Sequence, residues 1–201
     1  MADGTLKVGT ITTSSGSGTI TIGQSGETTN IVGTLQNNGS AVATTNGITS
    51  VTTFRLTDNL TGGSDATISA NLSAVSSPSG YGEIGSQVTQ SSGIFTFPAT
   101  GIWSIEFYGA FVDVAGDVSA EVKTMVTTDN SSYNNAAAAL IGENDSDSNR
   151  GTISSKFIFD VTDTSTHKCL FRQVSFAGGT TLNGDSTLNR TYFIFTRLGD
   201  T

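Results

Sequence analysis

Gly93-Ile94-Phe95-Thr96-Phe97-Pro98-Ala99-Thr100-Gly101-Ile102-Trp103-Ser104-Ile105-Glu106-Phe107 reads as strand, corner, strand. Alternation of apolar and polar residues at period two marks a half-buried strand on each side. Pro98 and Gly101 punctuate the two, because proline presets a turn and glycine tolerates conformations that side chains forbid. Along the second strand Trp103, Ile105 and Phe107 fall on one face, and Ser104, Glu106 and Tyr108 on the other. Two aromatic-rich strands joined by so short a corner have to lie in one core.

The same grammar extends outward. Further strands are expected over Ile68–Leu72, Phe111–Val112 (continuing the second strand), Val118–Val126, Thr152–Val161, Lys168–Phe176 and Thr191–Leu198. Turn signals such as Ser77-Pro78-Ser79-Gly80, Gly178-Gly179 and Asn183-Gly184-Asp185 separate them. Short strands at this spacing, without a long helical pattern, indicate a sandwich or barrel. Over Asn135–Ile141, with its run of alanines, a helical turn competes with a strand. In Tyr192-Phe193-Ile194-Phe195 the alternation fails, since all four residues are apolar or aromatic. Such a run suits a strand buried on both sides, one facing the core and the other a neighbouring subunit; a single sandwich with a few exposed aromatics is the competing reading.

Composition agrees with this reading. The chain has 201 residues, 35% hydrophobic and 13% charged, with 24 glycines. A disordered chain of low hydrophobicity usually carries many charges; here Ser, Thr, Asn and Gly stand in their place, as tight turns and pleated strands require. The net charge is −8. With no basic stripe, phosphate backbones and anionic lipid are repelled, so neither nucleic acid nor membrane is expected as a partner. Met1-Ala2-Asp3-Gly4 opens no secretory signal, and the lone cysteine cannot form an internal disulfide, so synthesis in a reducing cytosol is expected.

Residues 1–45 differ from the rest. They hold three charges (Asp3, Lys7, Glu27), no aromatic, and short Gly-Thr-led repeats such as Gly18-Thr19-Ile20-Thr21-Ile22. The apolar members Leu6, Val8, Ile11, Ile20, Ile22, Ile31, Val32 and Leu35 are too sparse to stabilise strands alone. An extended β-arm that assembles on sister chains or another protein is therefore expected. Residues 46–64 read as a linker with a turn at Asn46-Gly47, and 65–201 as the β-rich domain.

The central stretch resembles the tumour-necrosis-factor-like jelly roll, in particular its complement globular-head branch. Phe95, Phe97, Pro98, Gly101, Trp103 and Phe107 stand at matching places, and Thr191–Leu198, with Tyr192 and Ile194, resembles that family's last strand near the threefold axis. The resemblance implies an all-β jelly-roll β-sandwich and a homotrimer. The arm, over Gly18–Ile31, is similar to a repeat in virion structural proteins of tailed phages. Together these resemblances imply a virion structural protein made in the host cytoplasm. It would be a trimeric decoration protein bound to the major capsid protein or another virion protein, or else a short fibre whose jelly roll binds a host surface receptor.

Chemistry is sparse. His167 and Cys169 share one face of a strand, and a Cys–His pair can act as base and nucleophile; the competing reading is a packed thiol beside a rim histidine. Asp145, Asp147 and Asn149 have the alternate spacing of an EF-hand loop, but Arg150 and Lys156 stand where glycine and glutamate are needed. Asp113, Asp117 and Glu121 read as surface charges flanking a turn. No cofactor, no metal and no enzymatic activity are expected.

Overall fold

The computed structural model describes residues 25–26, 31–32, 36–37, 40–41, 47–76, 81–115, 117, 119–142 and 150–201. The chain divides into two units, Met1–Thr44 and Thr45–Thr201. In the first, β1 (Gln36–Asn37) pairs antiparallel with β2 (Ser40–Ala41), and Ile31 and Val32 are exposed. Leu6, Val8, Ile11, Ile20, Ile22 and Leu35 lie outside the described residues, as does the loop 143–149.

The second unit opens with β3 (Ser50–Leu56), β4 (Leu60–Thr61), β5 (Ala66–Thr67), β6 (Leu72–Ala74), β7 (Thr89–Ser91) and β8 (Ile94–Thr96). The long strands β9 (Gly101–Val112), β10 (Ala120–Thr127), β11 (Asn134–Ile141) and β12 (Arg150–Val161) follow, then β13 (Lys168–Val174), β14 (Thr181–Leu182) and β15 (Tyr192–Gly199). They form two antiparallel sheets. One runs β4-β14-β9-β15-β3-β6, with β12 along the other edge of β9; the second runs β11-β10-β13-β8-β7, with β5 on β13. The fold is an all-β jelly-roll sandwich.

The corner does what its residues imply. β8 belongs to one sheet and β9 to the other, so Pro98–Gly101 carries the chain across the sandwich. Phe97 is buried beside Trp103, ring centres 5.1 Å apart, and the Trp103 indole N–H donates to the Ala99 carbonyl at 3.1 Å. Arg197 clamps the outside, donating from Nε to the Thr100 carbonyl at 2.8 Å. Gly101 has φ +136°, and a Cβ there would lie 2.4 Å from the Gly199 carbonyl oxygen. Gly101→Ala should therefore destabilise the domain by about 1–3 kcal/mol, read as a lower thermal midpoint. An unchanged midpoint would mean the corner relaxes freely.

Between the sheets lies an aromatic core. Phe95 and Phe171 from one sheet meet Phe54, Phe107, Phe193 and Phe195 from the other, all 4% exposed or less. Many of these rings meet edge-on or tilted, the arrangement their quadrupoles favour. Trp103, Ile105 and Phe107 share the inner face of β9 as their alternation requires.

Several expectations need correction. The linker expected over 46–64 contains β3, a mostly buried strand pairing with both β15 and β6. Ser-Val-Thr-Thr-Phe-Arg-Leu hides its role because Thr53 and Arg55 are covered by other parts of the chain instead of water. The Thr53 N–H donates to the Tyr81 hydroxyl at 3.2 Å, and Arg55 donates to the Ser186 carbonyl at 3.2 Å. The single strand expected over Ile68–Leu72 is broken. Ile68 is buried, and Asn71, at φ 58°, adopts the left-handed region that asparagine tolerates, letting the chain pass from β5 in one sheet to β6 in the other. Asn135–Ile141 is strand, not helix, because pairing with β10 overrides the helical preference of alanine. Asp113 and Asp117 are buried, not surface charges. The Asp117 carboxylate accepts from the Thr180 hydroxyl and from the Ala177 N–H, tying the loop after β9 to the chain before β14.

Candidate assembly face and adjoining groove

Residues whose side chains alternate away from the aromatic core form the outer face of the sheet β12-β9-β15-β3. Register fixes its rows. Tyr192 stands between Tyr108 and Arg55, Ile194 between Glu106 and Thr53, and Thr196 between Ser104 and Val51. On the far side of β9, Ser154, Lys156 and Ile158 stand opposite Tyr108, Glu106 and Ser104. The two tyrosine rings stack, centres 4.8 Å apart and planes 13° from parallel. Ile158 is 47% exposed.

Glu106 sits in the middle of this face. Its carboxylate accepts from Ser104 Oγ at 3.0 Å, Tyr108 OH at 2.9 Å and Lys156 Nζ at 2.9 Å. Partial burial works to raise the Glu106 carboxyl, but these hydrogen bonds and the Lys156 charge together hold it below the ordinary value. The bond to Glu106, and next its charge, raise the Tyr108 hydroxyl. The carboxylate is thus ionised and already satisfied, so a second surface could close over it without stranding an unpaired charge. An apolar and aromatic patch ringing one satisfied ion pair has the make-up of a protein–protein contact centre.

Of the residues expected to serve core and trimer, Phe95, Phe97, Trp103 and Phe107 are enclosed within the sandwich, and Pro98 and Gly101 form its corner. Tyr192 and Ile194 are on the outer face, while Phe193 and Phe195, alternating with them, are fully buried. Sequence reasoning missed Lys156 and Ile158. Their signal was alternation along β12, where Phe157 and Phe159 point inward and Lys156 and Ile158 outward.

Beyond the stacked tyrosines the face runs into a groove. One cavity of about 480 Å³ is lined by Asn59, Val112, Arg150, Asn183, Asp185 and Arg190, among others. Two smaller hollows adjoin it, sharing Arg190, and extend it to Tyr108 and Tyr192. Its far wall is the loop 183–190, which has no regular structure yet is held at each step. The Asn183 N–H donates to Ala110 O at 2.8 Å, the Gly184 N–H to Asn59 Oδ1 at 3.0 Å, and the Asp185 N–H to Leu56 O at 2.8 Å. Asp185 organises the turn: Oδ1 accepts from the Thr187 N–H, the Thr187 hydroxyl and the Leu188 N–H, and Oδ2 accepts from Arg190 Nε at 3.3 Å. The backbone bond from Thr187, first among these, holds the Asp185 carboxyl far below its usual range.

The Cys–His pair is not a nucleophile and its base. Cys169 is fully buried, which pushes its thiol well up. The His167 ring stacks on Phe159, with its nitrogens next to the Thr162 and Thr166 hydroxyls at 3.2 and 3.1 Å. Among the described residues no cluster of His, Cys, Asp or Glu could hold a metal ion, and no helix is long and apolar enough to cross a membrane.

No family model matches the chain, and no curated protein matches its sequence. Solved structures do. The structure of Eiger TNF from S. frugiperda is similar, with a TM-score of 0.59 at 11% identity, covering 75% of this chain and 93% of that one. Murine APRIL at pH 5.0 gives a TM-score of 0.54 at 12% identity, covering 74% and 98%. At such identities the likeness is one of architecture, and it makes this domain a tumour-necrosis-factor-like jelly roll.

Proposed function

We propose that the chain is a non-enzymatic structural protein of a virus particle, a homotrimer that decorates the capsid. The observation that carries the reading is the outer face of the β12-β9-β15-β3 sheet. It presents stacked tyrosines, Ile194 and Ile158 around the satisfied Glu106–Lys156 pair, with no strand among the described residues laid across them. Three copies packing on this face would bury it. Residues 1–45 then serve as the attachment arm to the major capsid protein or another virion protein. Ile31 and Val32, 50% and 93% exposed, support this, because apolar side chains left uncovered in the single chain gain from a partner. Contacts made only with the assembled lattice stabilise it by mass action. In purified particles, quantitative mass spectrometry should find this protein at a copy number comparable to the major shell protein. A small fraction of that number, or none, overturns decoration.

The groove favours a second reading, a short tail or head fibre whose jelly roll binds a host receptor. A low copy number in the particle is its expected signature.

A further inference from the structure

We propose that the groove between β9, β12 and the loop 183–190 is a binding site for acidic saccharides. Arg190 and Arg150 would receive the carboxylate, and Asn59, Thr181 and Asn183 beside them would meet the hydroxyls of the sugar. This gives the receptor reading a ligand class and rests on that reading only for its biological use; the binding itself needs no particle.

Three observations lead there. The chain carries nine Lys and Arg against seventeen Asp and Glu, yet two of those nine line this one trough. Arg190 lines all three of its segments and is aimed by Asp185 through Nε, the edge that leaves its paired terminal nitrogens available for a planar carboxylate. Asp185 in turn is fixed by Thr187 and Leu188, and its loop is bonded to Ala110, Asn59 and Leu56. The guanidinium is therefore placed before any ligand arrives, which lowers the ordering cost of binding.

The rest of the lining selects for sugar over peptide. Asn59, Thr152, Thr181 and Asn183 offer hydroxyl and amide groups suited to a polyhydroxyl ligand. Among the described residues the widest part of the trough is lined mostly by polar groups, not by the deep apolar pocket that the anchoring side chain of a protein partner would want.

The test uses the full chain, titrated with an oligomer of galacturonic acid and, in parallel, with the neutral galactose oligomer of equal length. The acidic oligomer should bind with a dissociation constant on the order of 1 mM or tighter, weaken as salt rises, and lose roughly tenfold or more in each of Arg150→Gln and Arg190→Gln. The neutral oligomer should bind far less. Arg150→Gln, at the exposed start of β12, guards against the chance that Arg190→Gln merely loosens the loop. Equal binding of the two oligomers, no binding of either, or unchanged binding in Arg150→Gln overturns the proposal. So does equally tight binding of plain sulfate, which makes the trough an unselective anion site. If Arg150→Gln instead reduces the oligomer mass and the wild type ignores saccharides, the trough is a contact between copies of this chain. Particle copy number is independent of all these outcomes.

Discussion

Replacing Phe95 with alanine should lower the free energy of unfolding by about 3–5 kcal/mol, the range for emptying a buried phenylalanine site. Phe95 is fully enclosed. Its ring centre lies 4.9 Å from Phe195, 5.1 Å from Phe54, 5.7 Å from Phe171 and 6.0 Å from Phe193. It is contributed by the three-residue strand β8, so its neighbours across the sandwich are held by longer, better-paired strands and collapse inward poorly. The cost should thus combine lost transfer energy, lost edge-on contacts and a residual cavity. Urea unfolding followed by the fluorescence of Trp103, the single tryptophan, measures it. A loss under about 1 kcal/mol would mean that the surrounding rings close the gap.

The second large effect falls on assembly. Ile194→Glu should convert the proposed trimer into 20.7 kDa monomers in sedimentation velocity, while leaving each jelly roll folded. Ile194 is only half-buried in the isolated chain, so its replacement costs the fold little. The new carboxylate would stand opposite Glu106 in register, a like-charge pair worth up to about 1 kcal/mol of repulsion. Closing a second subunit over it would bury an unpartnered charge, a penalty of about 3–5 kcal/mol by analogy with broken buried pairs. A variant that stays trimeric would remove this face from the interface and with it the observation on which the decoration reading rests.

Architecture was legible where each strand buries one face only. Trp103, Ile105 and Phe107 alternate with polar neighbours, and β9 emerges directly from that pattern. β3 was not legible because both its faces are covered, the inner by aromatics and the outer partly by Tyr81 and the loop at Ser186, so Thr and Arg occur where water was assumed. β11 was ambiguous because alanine carries no strand signal of its own; its state is decided by pairing with the preceding strand β10, which the residues of β11 do not themselves encode. The groove was invisible for a related reason. Asn183-Gly184-Asp185 announces a turn, but not that the turn is bonded to residues 56, 59 and 110, and no local window relates Arg150 to Arg190. Tyr192 and Ile194 drew notice because a fourfold apolar run breaks the alternation of a strand with one wet face.

β15 is inserted between β9 and β3, at the centre of its sheet. During synthesis this makes the order of events unavoidable. β3 leaves the ribosome early, yet its main hydrogen-bonding neighbour is the last strand of this domain to appear. Until residue 199 has emerged, β3 and β9 cannot be joined, and Phe54, Phe95 and Phe107 lack the two phenylalanines that seal them in. The nascent domain therefore spends nearly all of its translation with an aromatic cleft open, and its closure is a late, long-range event. Ribosomes that stall before β15 would release a sticky intermediate instead of a smaller folded head, so a chain cut short near its end is a hazard to its own assembly.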